Sequence, residues 1–146
     1  MNVLVAQWKD DKQIQVIAKQ SKFTRDFCSI LFVRQNIRQW YKEGVVAKAV
    51  NRKGEILGFI CAKHLIRKPH TTVYYMGVEA SQHGKGVGRA LINWALRTSP
   101  WGKIQLVCEE GNEAGSKFYD RLGFKVVDRG TVGKAERPYR RMEITR

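Results

Sequence analysis

Acidic side chains are scarce: 13 Asp and Glu stand against 27 Lys and Arg, leaving a net charge of +14 at neutral pH. The basic excess recurs at Arg34 and Arg38, at Arg67 and Lys68, and at Arg137, Arg140 and Arg141, so no single basic tail accounts for it. Such a field attracts nucleic acid, an acidic protein or an anionic small molecule, and it also serves solubility. Long apolar runs are missing as well. Stretches such as Ile30 to Val33 fall far below the roughly 20 residues of a membrane span. The first residues carry no signal-peptide pattern. A soluble cytoplasmic protein with no membrane partner is expected. Cysteine is sparse and odd in number: Cys28, Cys61 and Cys108 lie far apart among apolar neighbours. That suits reduced core thiols better than disulfides or a bound metal, and no metal is expected. His64, His70 and His83 form no local pattern with any of them, which argues against a thiol nucleophile.

What is present is enough for a core. A hydrophobic content of 43% and four Trp argue against disorder, and 146 residues suit one domain, 1–146. Asn2 to Trp8 reads as a strand, and Lys9 to Gln20 as a short amphipathic helix with Ile14, Ile17 and Ala18 on one side. Ser21 can cap a second helix carrying Phe23, Phe27, Ile30, Leu31, Val33, Ile37, Trp40 and Tyr41, ended by Gly44. Val45 to Val50 and Ile56 to Leu65 flank the hairpin signal Asn51-Arg52-Lys53-Gly54. A turn near Pro69 leads to a strand at Thr72 to Val78.

A helix with Gly88, Leu91, Ile92, Ala95 and Leu96 on one face follows, stopped by Pro100 and Gly102. Lys103 to Cys108 is a strand. Asn112 can cap the next helix, and Gly123 suits its left-handed end. Phe124 to Val127 begins a strand, Arg129 to Arg137 reads as a flexible turn, and Tyr139 to Thr145 is the last strand. The order is therefore α/β with seven strands. A helix crossing between Val73 to Val78 and Lys103 to Cys108 makes the fourth and fifth strands parallel neighbours.

At that crossing stands Gln82-His83-Gly84-Lys85-Gly86-Val87-Gly88-Arg89. Gly84, Gly86 and Gly88 remove β-carbons from a strand-to-helix turn, so backbone N–H groups can approach an anion. The helix dipole, Lys85 and Arg89 add positive charge for a diphosphate. Two better-known phosphate loops do not fit. A P-loop needs a Ser or Thr after its Gly-Lys, and Gly88 is followed by Arg89. A dinucleotide fingerprint needs a further glycine beyond Gly88, where Arg89-Ala90-Leu91 stand, and sits after the first strand.

These residues resemble the GCN5-related N-acetyltransferase family. Its pyrophosphate signature, Gln/Arg-x-x-Gly-x-Gly/Ala after the fourth strand, is similar to His83-Gly84-Lys85-Gly86-Val87-Gly88 with Arg89-Ala90-Leu91. Its second signature, Asn-x-x-Ala-x-x-Phe-Tyr-x-x-x-Gly-Phe, resembles the series Asn112, Phe118, Tyr119, Gly123 and Phe124. The chain departs from the pattern in having His83 for Gln or Arg, and Glu79-Ala80 where many members carry a proline. The resemblance implies a mixed, mostly antiparallel central sheet of about seven strands with helices on both faces. It also implies transfer of acetyl from acetyl-CoA to a primary amine in a ternary complex.

By that resemblance, the backbone near Val78 polarises the thioester carbonyl, His83 to Arg89 hold the pyrophosphate, and Asn112 contacts the cofactor. Tyr119 protonates the departing thiolate. A carboxylate or ordered water must take the amine's proton. Glu79, Glu109 and Glu110 stand at strand ends, with Glu79 the favoured one. The acceptor is a small molecule or protein, with an acidic or nucleic-acid-linked amine suggested by the charge. A monomer or homodimer is expected. The alternative is a basic nucleic-acid-binding module on the same fold, with acetyl transfer vestigial or absent, motivated by Trp40, Tyr41 and Tyr139 near basic residues.

Overall fold

The computed structural model describes residues 1–20, 38–43 and 45–146. Within them seven strands form one sheet: β1 (Asn2–Val5), β2 (Val46–Val50), β3 (Ile56–Leu65), β4 (His70–Val78), β5 (Lys103–Glu109), β6 (Lys125–Val132) and β7 (Arg137–Thr145). Their spatial order is β1-β2-β3-β4-β5-β7-β6. Each neighbouring pair is antiparallel except β4 and β5. That pair is parallel because helix α2 (Val87–Thr98) returns the chain to the end of the sheet where β4 began. The mixed sheet expected from the sequence is therefore present.

The two-residue period of the strands sorts their side chains onto opposite faces. Ala47, Ala49, Ile60, Ala62 and Val73 join Leu91 and Ile92 of α2 in one core, against which α3 (Glu113–Leu122) packs Phe118, Tyr119 and Leu122. Val46, Phe59, Cys61 and Tyr75 join Ile14 and Ile17 of α1 (Asp11–Ala18) and Trp40 of the helical residues 38–43 in the other. Helices thus cover both faces. Each fully buried Ile or Phe in these clusters contributes on the order of 1.5–3 kcal/mol of transfer free energy. Cys61 and Cys108 are buried, as expected of core cysteines, while Cys28 lies outside the described residues.

Several sequence expectations need correction. The first strand ends at Val5, and Trp8 sits in a tight turn that Asp10 closes by accepting the Gln7 N–H at 2.9 Å. Arg129 to Val132 continues β6 and is not a flexible turn, pairing with Arg137 to Arg140 of β7. Gly130 is a strand residue because the Tyr139 ring lies across it, where a Cβ would come within 2.7 Å of the Tyr139 hydroxyl oxygen. Trp40 and Tyr41 are buried rather than displayed, since both belong to the α1-side core. The helix expected from Ser21 through Ile37, and Gly44 as its end, lie outside the described residues.

Candidate active site

β4 and β5 pair only at Thr71 with Ile104, Thr72 with Gln105 and Val73 with Leu106. Beyond that point β4 runs on to Val78 and β5 to Glu109 without pairing to each other, so the sheet opens into a cleft at their carboxyl ends. A bulge marks the parting: Ala62 faces Val73 and Cys61 faces Tyr75, which leaves Tyr74 as the extra residue. The Glu79 N–H donates to the Leu57 carbonyl at 2.9 Å. An antiparallel ladder alternates, so Gly77 likewise faces β3, while Met76 and Val78 turn their N–H and C=O groups toward the cleft. His83 takes up one of these groups, donating from Nε2 to the Val78 carbonyl at 3.0 Å.

The glycine loop stands at the mouth of the cleft. Gly84 and Gly86 have φ of +79° and +85°, the left-handed region where only glycine is unstrained, and no described residue lies within 4 Å of where their β-carbons would be. Gly86 is the N-cap of α2 and brings no side chain to its first turn. The first helical hydrogen bond runs from Ala90 N–H to Gly86 carbonyl, leaving the N–H groups of Val87, Gly88 and Arg89 ahead of the ladder. Lys85 and Arg89 are exposed beside them. The loop therefore fits an anionic group held by backbone N–H, dipole and two cations. Val87 and Gly88 differ from the simplest expectation. Both are buried, Val87 in the core and Gly88 against Phe118, so only their backbones face the loop.

Asn112 caps α3, its Oδ1 accepting the Gly115 N–H at 3.0 Å. One helical side later, Tyr119 is half-buried between Phe118 and Phe124, with ring centroids 5.2 and 5.4 Å away. Burial around its hydroxyl, followed by the Cys108 thiol, pushes the phenol pKa well above its usual 10.0. It therefore stays protonated at every physiological pH. Burial also raises the Cys108 thiol, against the opposing pull of Ser116 and Arg140.

The three strand-end carboxylates have different surroundings. Glu79 accepts from Ser81 through its hydroxyl and, at 2.9 Å, its N–H, and from Gln20 at 3.5 Å. The Ser81 hydroxyl and then the Ser81 N–H hold its pKa below the usual 4.5. Glu110 is bound to exposed Arg129 at 2.7 Å. Glu109 contacts Arg137 through Oε1, while its Oε2 is buried without a hydrogen-bond partner among the described residues. Spacing in the sequence does not bring together Cys108, Ser116 and Arg140, which meet beneath the start of α3. The signal that could have linked them is the pairing of β5 with β7, which sets Cys108 opposite Arg140. Among the described residues no group of three His, Cys, Asp or Glu is placed to hold a metal, and no helix is long and apolar enough to cross a membrane.

Comparison with known proteins agrees with this fold. The chain is 34% identical over 126 residues to a 5-NmdU N-acetyltransferase of Pseudomonas phage PaMx11, covering 86% of this chain and 88% of that protein. It is 29% identical over 119 residues to the peptidyl-lysine N-acetyltransferase YjaB of Escherichia coli (strain K12), covering 80% and 76%. The crystal structure of a GNAT family acetyltransferase from Bacillus cereus ATCC 10987 shares the fold, with a TM-score of 0.80 at 21% identity over 99% of this chain and 96% of that one. Residues 12–124 match the model of the acetyltransferase (GNAT) family, whose co-substrate is acetyl-CoA, and the chain belongs to that family.

Proposed function

We propose that the chain transfers the acetyl group of acetyl-CoA directly to a primary amine carried by a nucleic acid. The observation that carries the transfer reading is the cleft between β4 and β5, with the open Gly84–Gly86 cradle at its mouth. The backbone of Gly84 to Arg89, with Lys85 and Arg89, holds the pyrophosphate, and Asn112 contacts the chain of the cofactor. Cleft-facing N–H groups at Met76 and Val78 stabilise negative charge on the thioester oxygen as the amine attacks. The new C–N bond forms and the C–S bond breaks. Tyr119 delivers its proton to the leaving sulfur, and the amine's proton passes to Glu79. Glu79 is ionised throughout the neutral range, so it holds the incoming ammonium and hands its proton to water.

The nucleic-acid acceptor rests on the chain's charge of +14 and on its likeness to the phage 5-NmdU enzyme. A protein lysine, as in the relative YjaB, is the competing acceptor. Calorimetric titration with acetyl-CoA tests the first half of the reading. Micromolar binding that Gly86→Glu abolishes is expected, because the substitution puts a strained, negatively charged side chain in the cradle. An acetyl-transfer assay on aminated oligonucleotides and on lysine peptides tests the second half. No acetyl-CoA binding by the wild type would return the chain to the reading of a basic nucleic-acid-binding module.

A further inference from the structure

The α1-side core ends at β4: no described residue of β5, β6 or β7 belongs to it. Where that core stops, a groove of about 720 Å³ crosses the same face of the sheet. Its lining includes Tyr74 and Val107, the residues immediately past the last β4–β5 pair, so the groove opens at the base of the cleft. Tyr74 in it is backed on one ring face and remains exposed. Tyr74 stacks on Trp40 with centroids 5.6 Å apart and planes 18° from parallel. Tyr139 lies across Gly130, with the Arg141 guanidinium 5.9 Å from its centroid. Lys68 and Arg141 bring positive charge to the lining, and Asp128, 3.8 Å from Arg141, offsets part of it.

A flat aromatic on a sheet face, flanked by cations, is how single strands are held. Bases stack on the rings whatever their identity, and the cations follow the phosphates. The volume falls within the roughly 300–1,000 Å³ of ordinary ligand sites, room for a nucleotide but not for a duplex. We propose that this groove holds the acceptor as single-stranded or locally extruded nucleic acid, one base stacked on Tyr74 and phosphates at Lys68 and Arg141. The inference rests on the nucleic-acid reading of the acceptor given above. It adds that the strand reaches the cleft from the face opposite α2 and α3, and that a paired base must leave its stack to do so.

The test is fluorescence anisotropy of a labelled 12-residue single-stranded oligodeoxynucleotide and of its duplex, without acetyl-CoA, across a salt series. Wild type is expected to prefer the single strand. Tyr74→Ala and Arg141→Ala should each weaken it about tenfold, while Tyr74→Phe, which keeps the ring, stays within about twofold. Arg141→Ala should also reduce the slope of log K against log salt by about 0.7, the value for one phosphate contact on a single strand. Thermal melting accompanies each variant, and Lys68→Glu replaces any that fails to fold. Single-strand binding unchanged in all these variants, or a duplex bound more tightly than the single strand, overturns the inference. Acetylated oligonucleotide with unaltered groove variants would overturn the groove alone, whereas acetylated lysine peptide and untouched oligonucleotide would overturn the acceptor reading beneath it.

Discussion

Phe118 presses the edge of its ring onto the Cα of Gly88, so that a β-carbon there would lie 2.9 Å from Phe118 Cζ. The contact joins α3 to the first turn of α2, the turn that carries the anion-binding N–H groups. Gly88→Ala sets two effects against each other. Helix propensity returns at most about 1 kcal/mol, while overpacking costs about 1–3 kcal/mol. The clash should win, lowering stability by about 1 kcal/mol and weakening acetyl-CoA binding severalfold. Urea unfolding and calorimetry would check both, and Phe118→Leu in the same chain should restore part of each loss.

Tyr119 holds its proton across the working range because burial and the Cys108 thiol raise its pKa. The acid limb of a pH profile therefore cannot come from Tyr119, nor should activity fall as pH rises toward 10. The rising limb should belong to the acceptor amine, whose free pKa near 10 leaves only a small neutral fraction at pH 7. Tyr119→Phe should lower kcat about 100-fold, the lower end for a lost general acid, with acetyl-CoA affinity within about twofold of wild type. An acceptor of lower pKa should shift the limb down by a matching amount in both proteins.

Much of the fold was legible because local signals agreed. Asn51 and Gly54 mark the hairpin, and Asn112 and Gly123 mark both ends of α3, where the structure has them. The parallel pair followed from chain order alone. What the sequence hid depends on contacts across the sheet. Gly130 looks like a turn residue until Tyr139, nine positions later, is laid over it by the β6–β7 pairing. Trp40 looks displayed among charges until Ile14, Phe59 and Tyr75 enclose it. Gly88 has the spacing of a third loop glycine but is fixed by packing against Phe118. The parting of β4 and β5 at Tyr74 left no local trace, because a bulge is a mismatch of register between two strands.

Glu79 and Glu109 can be told apart by amide substitution. In Glu79→Gln the oxygen that accepts from Ser81 remains but the charge facing an incoming ammonium is gone. kcat/KM for the amine should fall by about 100-fold, the lower end for a lost general base. Glu109 already contacts Arg137, so Glu109→Gln should cost less than about threefold in the same assay. A larger loss from Glu109→Gln than from Glu79→Gln would move the proton acceptor to Glu109, whose Oε2 is buried without a partner among the described residues.

Asp10 links the start of α1 to β2, accepting from the Gln7 N–H at 2.9 Å and from Lys48 Nζ at 3.0 Å. Burial opposes its ionisation, but the Gln7 N–H and the Lys48 ammonium outweigh that and leave its pKa below the usual 3.8. The side chains of Lys48 and Asp10 are only 16% and 10% exposed, so water screens the pair little. A carboxyl group that is more acidic folded than unfolded contributes stability that is complete above its unfolded pKa. The contribution is lost as pH falls through the folded value. Asp10→Asn should therefore cost about 1–3 kcal/mol at pH 7, and that gap should narrow as pH falls below about 4, where the wild-type carboxylate starts to take up its proton. Urea unfolding of both proteins at pH 7 and pH 3 measures the difference. An equal gap at the two pH values would mean that the charge of Asp10 is not what joins α1 to the sheet.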